Sequence, residues 1–528
     1  MVVNYNVRMK KIIVFISAFL PLLWEGCAKA NDSHEDPIET GENMEEELPG
    51  GLCAFPGAEG FGRNATGGRG GKVYHVTTLN DGAQIGTLRY ALAQKGTRTI
   101  VFDVAGTIFL DSGLNITNGD LTLAGQTAPG QGVCIAKFPV VIKADNVIIR
   151  YMRFRVGNEG GGEPDGLGGM ENKNVIVDHC SISWSVDECC SIYGGENLTV
   201  QWCIVSESLR SAGHGKGTHG YGGNWGGARV SYHHNLMAHH GSRTPRLGPR
   251  AFTQEREYMD MRNNVIYNWG GNGCYGGEGM KINIVNNYYK PGPATPKNKA
   301  IRYRIAGIGI RTSEYVKTYP AFAPMKHVWG KFYINGNVVE GSEEVTKDNW
   351  SKGVYEQIDN SKNDGLFTEL TRDTMRLRVP LETDVITTHT AEKAFELVLA
   401  YAGCAKQRDI IDDRIVKEAK EGTATYIGSI TENAASSQGL IDLPSDVMPK
   451  GATSPWPTLS DGNVATDQLK DSDGDGMPDV WELKKKLNPN DATDGKTTTL
   501  SKNGYTNLEV YLNSLVVEIT KHLISDYK

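Results

Sequence analysis

The sequence contains 528 residues, of which 63 are glycine and 39% are hydrophobic. The glycine share, about 12% against a usual ~7%, follows no collagen-like period, and the hydrophobic content excludes a chain that is disordered throughout. A net charge of −7 argues against a general nucleic-acid-binding protein. At this length two or three domains are expected unless a solenoid forms one body, and the glycine favours β-structure rich in turns.

The N-terminus has the features of an export signal. Lys10 and Lys11 precede an apolar run, Ile12 to Trp24, that is too short to cross a bilayer with ease. Two cleavage sites are open: a lipoprotein signal ending at Cys27, which we favour, and a soluble product cut after Ala30. Residues 1–30 are the predicted signal. We expect a lipoprotein at the cell surface, outer membrane or periplasm, touching the membrane only through its lipid, or otherwise a secreted protein.

Charge is distributed unevenly along the chain. Residues 32–47 include eight acidic residues and no lysine or arginine, which predicts a solvated tether over 31–52. The stretch 51–470 is left within one charge of neutrality. Beside Cys27 there are eight cysteines and no C-x-x-C pair, so buried free thiols are expected rather than a zinc ribbon or a redox motif.

A short β-rich pattern recurs through the middle of the chain at intervals of 23 to 32 residues. Its first positions are Asn146, Asn174, Asn197, Arg229, Tyr258 and Lys281. Each unit alternates apolar and polar residues and is separated from the next by glycine-rich turns, and no unit contains an amphipathic helix of about ten residues. The period therefore predicts an all-β solenoid, a parallel β-helix.

One register of the repeat predicts a ladder of stacked side chains. The seventh position of successive units is occupied by Met152, Cys180, Cys203, Asn235, Asn264, Asn287 and Asn337. Stacked asparagines would lie about 4.8 Å apart, with their amides hydrogen-bonded along the axis. We expect a structural role for these residues, and also for His179 and His234, which lie within the strands.

Specific motifs lie beside two long interruptions of the repeat, at 157–169 and 206–227. They include Val177-Asp178-His179 and Arg243-Thr244-Pro245, with Phe55 to Gly62 near the start. Through these motifs the stretch from about 53 to 440 resembles the pectate lyases of the right-handed parallel β-helix class. The resemblance implies an exported bacterial polysaccharide lyase that cleaves polygalacturonate, an acidic plant polysaccharide, by β-elimination with calcium. We assign residues 53–442 to this β-helix.

The resemblance also implies a metal site. It places calcium ligands at Asp165 and Asp187, in keeping with the hard oxygen ligands that calcium prefers. The family's third carboxylate is replaced by Ser191, so Glu188 or the substrate is expected to complete a weaker site.

The catalytic arginine of the family falls on Arg243, with Lys216 and Arg246 expected to assist it. Gly248 stands where a second family arginine is common. Because a guanidinium normally stays protonated, Arg243 needs neighbouring positive charge to act as a base. Candidate substrate-binding residues are Arg210, Arg250, His219, Tyr221 and Trp225.

The C-terminal part is predicted to add helices and a calcium module. Ala391 to Ala400 and Arg408 to Arg414 have helical spacing, with an ion pair expected between Arg408 and Asp412. A linker at 443–470 leads to a module at 471–528. There, the EF-hand ligand spacing is met by Asp471, Asp473, Asp475, Met477 through its carbonyl, Asp479 and Glu482.

Three other functions remain open at this stage. A pectin lyase acting on methylated substrate would use basic residues in place of calcium, which Asp165 and Asp187 oppose. A β-helix hydrolase needs convergent carboxylates and leaves Arg243 unexplained. A non-catalytic glycan-binding protein would fit the changes at Ser191 and Gly248. We expect a monomer that binds no nucleic acid.

Overall fold

The structure is a computed structural model that describes residues 52–357, 364, 366–430 and 437–524. The predicted signal peptide, Cys27 and nearly all of the acidic tether lie outside this part. Within it, parallel strands follow one another in short rungs. In chain order they are β1 Lys72–Val76, β2 Arg98–Phe102, β3 Gly106–Phe109, β4 Leu114–Ile116, β5 Leu121–Ala124, β6 Val133–Ala136, β7 Val140–Ile142, β8 Val147–Arg150, β9 Arg153–Arg155, β10 Leu167–Met170, β11 Lys173–Asp178, β12 Ser181–Ser183, β13 Cys190–Gln201, β14 Ile204–Ser206, β15 Asn224–His233, β16 Leu236–Ala238, β17 Arg246–Leu247, β18 Tyr258–Arg262, β19 Val265–Tyr267, β20 Tyr275–Gly276, β21 Lys281–Val285, β22 Tyr288–Lys290, β23 Ala306–Ile308, β24 Lys331–Asn335, β25 Val338–Val339 and β26 Val354–Glu356.

The strands form three parallel columns. The first column contains β1, β2, β5, β8, β11, β13, β15, β18, β21 and β24. The second contains β3, β6, β9, β12, β14, β16, β19, β22 and β25. The third contains β4, β7, β10, β13, β15, β17, β20, β23 and β26. The long strands β13 and β15 bend and belong to both the first and third columns. This arrangement confirms the predicted parallel β-helix.

Helices lie between and outside the rungs. They are α1 Leu88–Ala93, α2 Lys299–Arg302, α3 Ser313–Thr318, α4 Glu343–Lys347, α5 Asn349–Gly353, α6 Glu369–Met375, α7 Ala391–Tyr401, α8 Ile410–Glu421, α9 Asp479–Lys485, α10 Asn507–Ser514 and α11 Val517–Ile524. The predicted helices α7 and α8 pack on the second column, where Val398 and Ile415 join its apolar cluster. Among the described residues, no helix is both long and apolar enough to cross a membrane.

The asparagine ladder is present as predicted. Asn235, Asn264 and Asn287 are fully buried, and each backbone N–H donates to the side-chain oxygen of the asparagine one rung later at 2.9–3.0 Å. The ladder ends at Asn349, which lies on helix α5 and accepts from the Asn337 N–H at 2.8 Å. Such pairing satisfies buried polar groups at the corner where each rung turns.

The residue before each ladder position has a left-handed backbone, and before the first four positions its ring stacks on the ring of the neighbouring rung. Tyr151, His179, Trp202 and His234 have φ of 50–55°, with successive ring centroids 4.8, 6.1 and 4.3 Å apart. The structural role predicted for His179 and His234 is therefore confirmed. Cys180 and Cys203 stack beneath them, and all eight described cysteines are buried, as predicted.

A buried charge cluster fastens helix α8 to the solenoid. Arg155 donates to Asp409 and to Asp412, the latter at 2.9 Å, and both acids are nearly inaccessible. Arg408 instead donates to the carbonyls of Leu399 and Ala402. The predicted ion pair between Arg408 and Asp412 is wrong, because a buried arginine of the β-helix, Arg155, already occupies the aspartate.

The predicted linker and calcium module pack against the β-helix. Trp456, in the segment predicted to be a linker, is 6% exposed and contacts the rings of Phe109 and Trp184. The C-terminal segment reaches the first rungs, where Met477 joins Val101 and Ala124 in one apolar cluster. The described residues from 52 onwards accordingly fall within one compact unit.

Candidate active site

The candidate site lies where four successive rungs enter the third column. Asp165 precedes β10, Asp187 and Glu188 precede β13, Tyr221 precedes β15 and Arg243 precedes β17. Parallel bridges join Glu188 to Tyr221 and Tyr221 to Ser242. Stacking of the rungs thus brings together side chains that are separated by 22 to 33 residues at each step.

Three carboxylates, of which Asp165 and Asp187 are the predicted calcium pair, form the acidic half of the site. Oxygens of Asp165, Asp187 and Glu188 lie within 4.8 Å of one another. Burial, and then the negative charge of Asp187, raise the pKa of Asp165 to about 7. Burial acts in the same direction on Asp187, but its hydrogen bond with His219 and the charge of Arg243 outweigh that effect and leave its pKa below the ordinary value. The pair therefore carries repulsion that a bound cation would relieve.

Two histidines hold Asp187 from the loop at 206–227. His219 Nε2 lies 2.7 Å from Asp187 Oδ1, and the His214 ring stacks on His219 with centroids 3.7 Å apart. His214 Nδ1 accepts from the Lys216 N–H at 3.1 Å, so in the neutral ring the proton is on Nε2, which lies 3.4 Å from Glu163. Both rings are about 95% buried and orient the carboxylate rather than contact solvent.

The basic half of the site is Arg243. Its backbone has φ of 55°, a conformation that a non-glycine residue seldom adopts. Its guanidinium lies 4.5 Å from the centre of the Tyr221 ring and forms an ion pair with Glu188. The side chain is 24% exposed, so it can reach a bound ligand.

Three of the predicted residues do not contribute a free group here. Trp225 is fully buried and stacks on Tyr232 in the core, so it cannot bind a sugar. Arg210 is 7% exposed and donates to Ser437 in the C-terminal segment. Arg246 is held by both oxygens of Glu278 at 2.8 Å. The roles predicted for Trp225, Arg210 and Arg246 are therefore wrong, since packing or an ion pair already engages each side chain.

The other predicted substrate residues have mixed positions. His219 is buried against Asp187, so the predicted contact with substrate is replaced by an orienting role. Tyr221 is partly buried between His219 and Arg243. Lys216 is exposed on the loop. Arg250 pairs with Glu171 at 2.9 Å and remains 29% exposed, so Arg250 remains a predicted substrate ligand and Lys216 a predicted assistant of Arg243.

The C-terminal loop contains a second group of acids. Asp471, Asp473 and Asp475 bring oxygens within 4.8 Å of one another, and Asp475 does the same with Glu482 and Asp494. Asp479 instead accepts from the Ser472 N–H and pairs with Lys470, each at 2.8 Å. The prediction of Asp479 as a ligand is wrong, because the start of the loop already uses its carboxylate.

Comparison with known proteins identifies the family. No protein-family model matches the chain. The probable pectate lyase C of Aspergillus flavus is 33% identical over 475 residues, which cover 88% of this chain and 94% of that protein. The probable pectate lyase C of Aspergillus fumigatus is 33% identical over 476 residues, with the same coverage. The chain belongs to the pectate lyase family.

As a member of the pectate lyase family, the protein is a polysaccharide lyase. The two relatives are fungal and give no support to the bacterial type expected from the sequence. Among solved structures, a pectate lyase from Bacillus sp. N165 in complex with trigalacturonate is 19% identical, with a TM-score of 0.41, covering 65% of this chain and 98% of that one.

Two residues that support the candidate site were not predicted from the sequence of this pectate lyase. His214 and Glu163 extend the support of Asp187 beyond His219. The available signal was a pair of histidines bracketing a glycine-rich loop, but nothing in the spacing shows that the loop folds back over the rung that carries Asp187.

Proposed function

We propose that this pectate lyase cleaves α-1,4-linked polygalacturonate by calcium-assisted β-elimination at the site described above. The observation that carries the proposal is the juxtaposition of Asp165 and Asp187, on adjacent rungs, with Arg243, two rungs beyond Asp187. A hard-cation site beside an exposed guanidinium suits a sugar acid, because both groups attract its carboxylate.

The donor set fits calcium. Asp165 and Asp187 would hold the ion, because they are oxygen donors whose mutual repulsion is only partly compensated. Bound calcium would neutralise the C6 carboxylate of the sugar and make the proton at C5 more acidic. His219 fixes Asp187 through Oδ1, which leaves the other oxygen of that carboxylate for the ion.

Arg243 is the proposed base. A guanidinium cannot accept a proton, so Arg243 would first part from Glu188 and give a proton to solvent, a loss that the positive charge of a bound cation would favour. The neutral guanidine would then take the C5 proton, and the electrons of that C–H bond would form the C4–C5 double bond as the C4 oxygen leaves and takes a proton from water. Glu188 lies beside both the arginine and the carboxylate pair, and we propose that its carboxylate moves towards the pair when the cation binds.

The test is the appearance of the unsaturated product. Polygalacturonate digested in calcium should gain ultraviolet absorbance from the new double bond, and a chelator should abolish that gain. New reducing ends without the absorbance would indicate a hydrolase, and binding without either signal would indicate a glycan-binding protein. Methylated pectin cleaved equally well in chelator would indicate the pectin lyase alternative.

We also propose that the loop beginning at Asp471 binds a second calcium ion that is separate from catalysis. Its acids cluster on a different part of the molecule from the catalytic pair. Calorimetric titration of the full chain with calcium should then give two sites. A variant with both Asp165→Asn and Asp187→Asn should retain one of them.

The export route is proposed on the sequence alone. We propose that the signal over 1–30 directs export and that Cys27 carries a lipid anchor, with the acidic segment as a tether. Metabolic labelling with a radioactive fatty acid should mark the wild type and not Cys27→Ala. An unlabelled product beginning after Ala30 would favour the soluble secreted form instead.

A further inference from the structure

The C-terminal loop docks on one vertical row of the first column. His75, Val101, Ala124 and Arg150 occupy matching positions on β1, β2, β5 and β8. His75 Nε2 lies 3.3 Å from Asp471 Oδ2. Met477 packs on Val101 and Ala124, and Arg150 donates to Asn513 of α10 at 3.1 Å. The loop and the helix after it thus cover the outer face of the first rungs.

Apart from Asp471, which lies beside His75, the acids of this cluster leave carboxylate oxygens buried without a partner. Glu482 is completely inaccessible, and neither of its carboxylate oxygens has a hydrogen-bond partner. Asp475 Oδ2, Asp473 Oδ2 and Asp494 Oδ1 are also buried without a partner. Several unpaired buried carboxylate oxygens would be strongly destabilising, and a hard cation among them satisfies all of them together.

Asp494 is built into this group from a second turn of the chain. Its Oδ2 accepts from the Asn488 N–H at 2.9 Å, which leaves Oδ1 as the unpartnered atom. The buried Asn507 amide donates to the Asp494 carbonyl at 2.9 Å. At Gly495 a Cβ atom would lie only 2.2 Å from Asp475 Oδ2, so the turn needs glycine to approach this closely.

We propose that Asp494 is a calcium ligand, and that one ion held by both turns clamps the C-terminal segment onto the first rungs of the β-helix. Asp471, Asp473, Asp475 and Glu482 supply the other carboxylates. Asp494 takes the place that linear EF-hand spacing gives to Asp479, whose carboxylate is held by Lys470 and Ser472. This inference rests on the proposal that the loop binds calcium.

Calcium affinity tests the ligand. The full chain carrying Asp165→Asn and Asp187→Asn is titrated calorimetrically with calcium chloride, so that the loop provides the remaining site. Adding Asp494→Asn should weaken binding by at least about tenfold. The matched control is Asp491→Asn, an exposed acid on the same turn whose carboxylate bonds only Thr493, and it should leave the affinity unchanged.

The two proposals fail in different ways. Equal affinity with and without Asp494→Asn would remove Asp494 from the ligand set and leave loop binding intact. No calcium uptake by the parent chain would overturn loop binding itself. Because Asp494→Asn could disturb folding, Gly495→Ala is titrated as a second variant, and it should also weaken binding since its Cβ collides with Asp475.

Proteolysis tests the clamp. With calcium, the wild-type chain should resist tryptic cleavage at Lys484–Lys486, and chelation should speed that cleavage at least about tenfold. The Asp494→Asn chain should be cleaved at the fast rate even when calcium is present, whereas Asp491→Asn should behave as the wild type. Cleavage at one rate with and without calcium would overturn the clamp.

Discussion

The two acidic clusters of this protein differ in what balances their charge. At the catalytic cluster, His219 bonds Asp187 and the guanidinium of Arg243 stands beside Glu188, so the protein itself supplies part of the compensation. At the C-terminal cluster, both oxygens of Glu482 are buried without a partner. A partly compensated site can exchange its cation with substrate present, whereas an uncompensated one requires the cation for packing. The first is therefore suited to turnover and the second to structure.

Removal of the proposed base should have the largest effect, and it should affect the catalytic cluster alone. Arg243→Ala should lower kcat by about 10²–10⁴-fold, the usual contribution of a general base, and leave calcium binding at the C-terminal cluster unchanged. The rate of unsaturated product formation measures the effect. Arg256→Ala, at an arginine whose side chain is 63% exposed, is the control and should retain full activity. Full activity of Arg243→Ala would remove the proposed base while leaving the lyase reaction in place.

A second arginine separates structure from catalysis within the same region. Glu278→Gln leaves Arg246 buried beside a neutral partner, and loss of one member of a buried pair costs about 3–5 kcal/mol. We expect a lower free energy of unfolding in urea, with kcat nearly unchanged in the remaining folded enzyme. A loss of kcat with unchanged stability would return Arg246 to the catalytic group.

A variant of His219 tests whether its hydrogen bond to Asp187 supports calcium binding at the catalytic cluster. His219→Ala removes the hydrogen bond that fixes Asp187, and the calcium concentration that supports half-maximal activity should rise about tenfold. His219→Gln, which can still donate to Asp187, should recover part of that loss. The exposed His327→Gln is the control. Equal loss in the alanine and glutamine variants would argue against a hydrogen-bonding role.

Acid stability tests whether either cluster governs unfolding. Burial lowers the pKa of His233 and of His240 to about 3, so both are neutral in the folded chain. Below the unfolded value of about 6.5 the unfolded chain binds protons that the folded one does not, and unfolding becomes easier by up to about 1.4 kcal/mol per pH unit for each group. The wild type should lose stability from about pH 6.5 towards 3 even in saturating calcium.

One substitution tests whether a buried histidine causes this loss of folding stability in acid. His240→Gln should flatten the pH dependence of the urea midpoint by about one proton. An unaltered slope in His240→Gln would assign the acid loss to the carboxylate clusters instead.

Repetition explains how much of the fold could be predicted from the sequence. Asn235, Asn264 and Asn287 recur at one register, so a linear pattern gives their stacking directly. Contacts outside the repeat leave no such pattern. Arg155 meets Asp409 across 254 residues, and nothing local in either segment indicates the other.

The candidate site likewise contains residues that could be predicted from the sequence and residues that could not. Asp165, Asp187, Glu188 and Arg243 were found through family motifs, and the rungs bring them together. The assignment of Arg246 was wrong because Glu278, one rung away, binds its guanidinium, and that of Arg210 because Ser437 of the C-terminal segment accepts its hydrogen bond. At the C-terminal loop, spacing alone favoured Asp479 over Asp494, because only the folded second turn brings the latter to Asp475.

The asparagine ladder ends near the last rung of the solenoid. Asn349 receives the last rung as another strand would, but helix α5 carries it, and its own amide donates to the carbonyls of Val345 and Thr346. An exposed strand edge can pair with another molecule, and the helix at this position continues the ladder with no further strand. Asn349 therefore caps the ladder: it satisfies the last asparagine, and its own amide bonds within the helix instead of to a further rung.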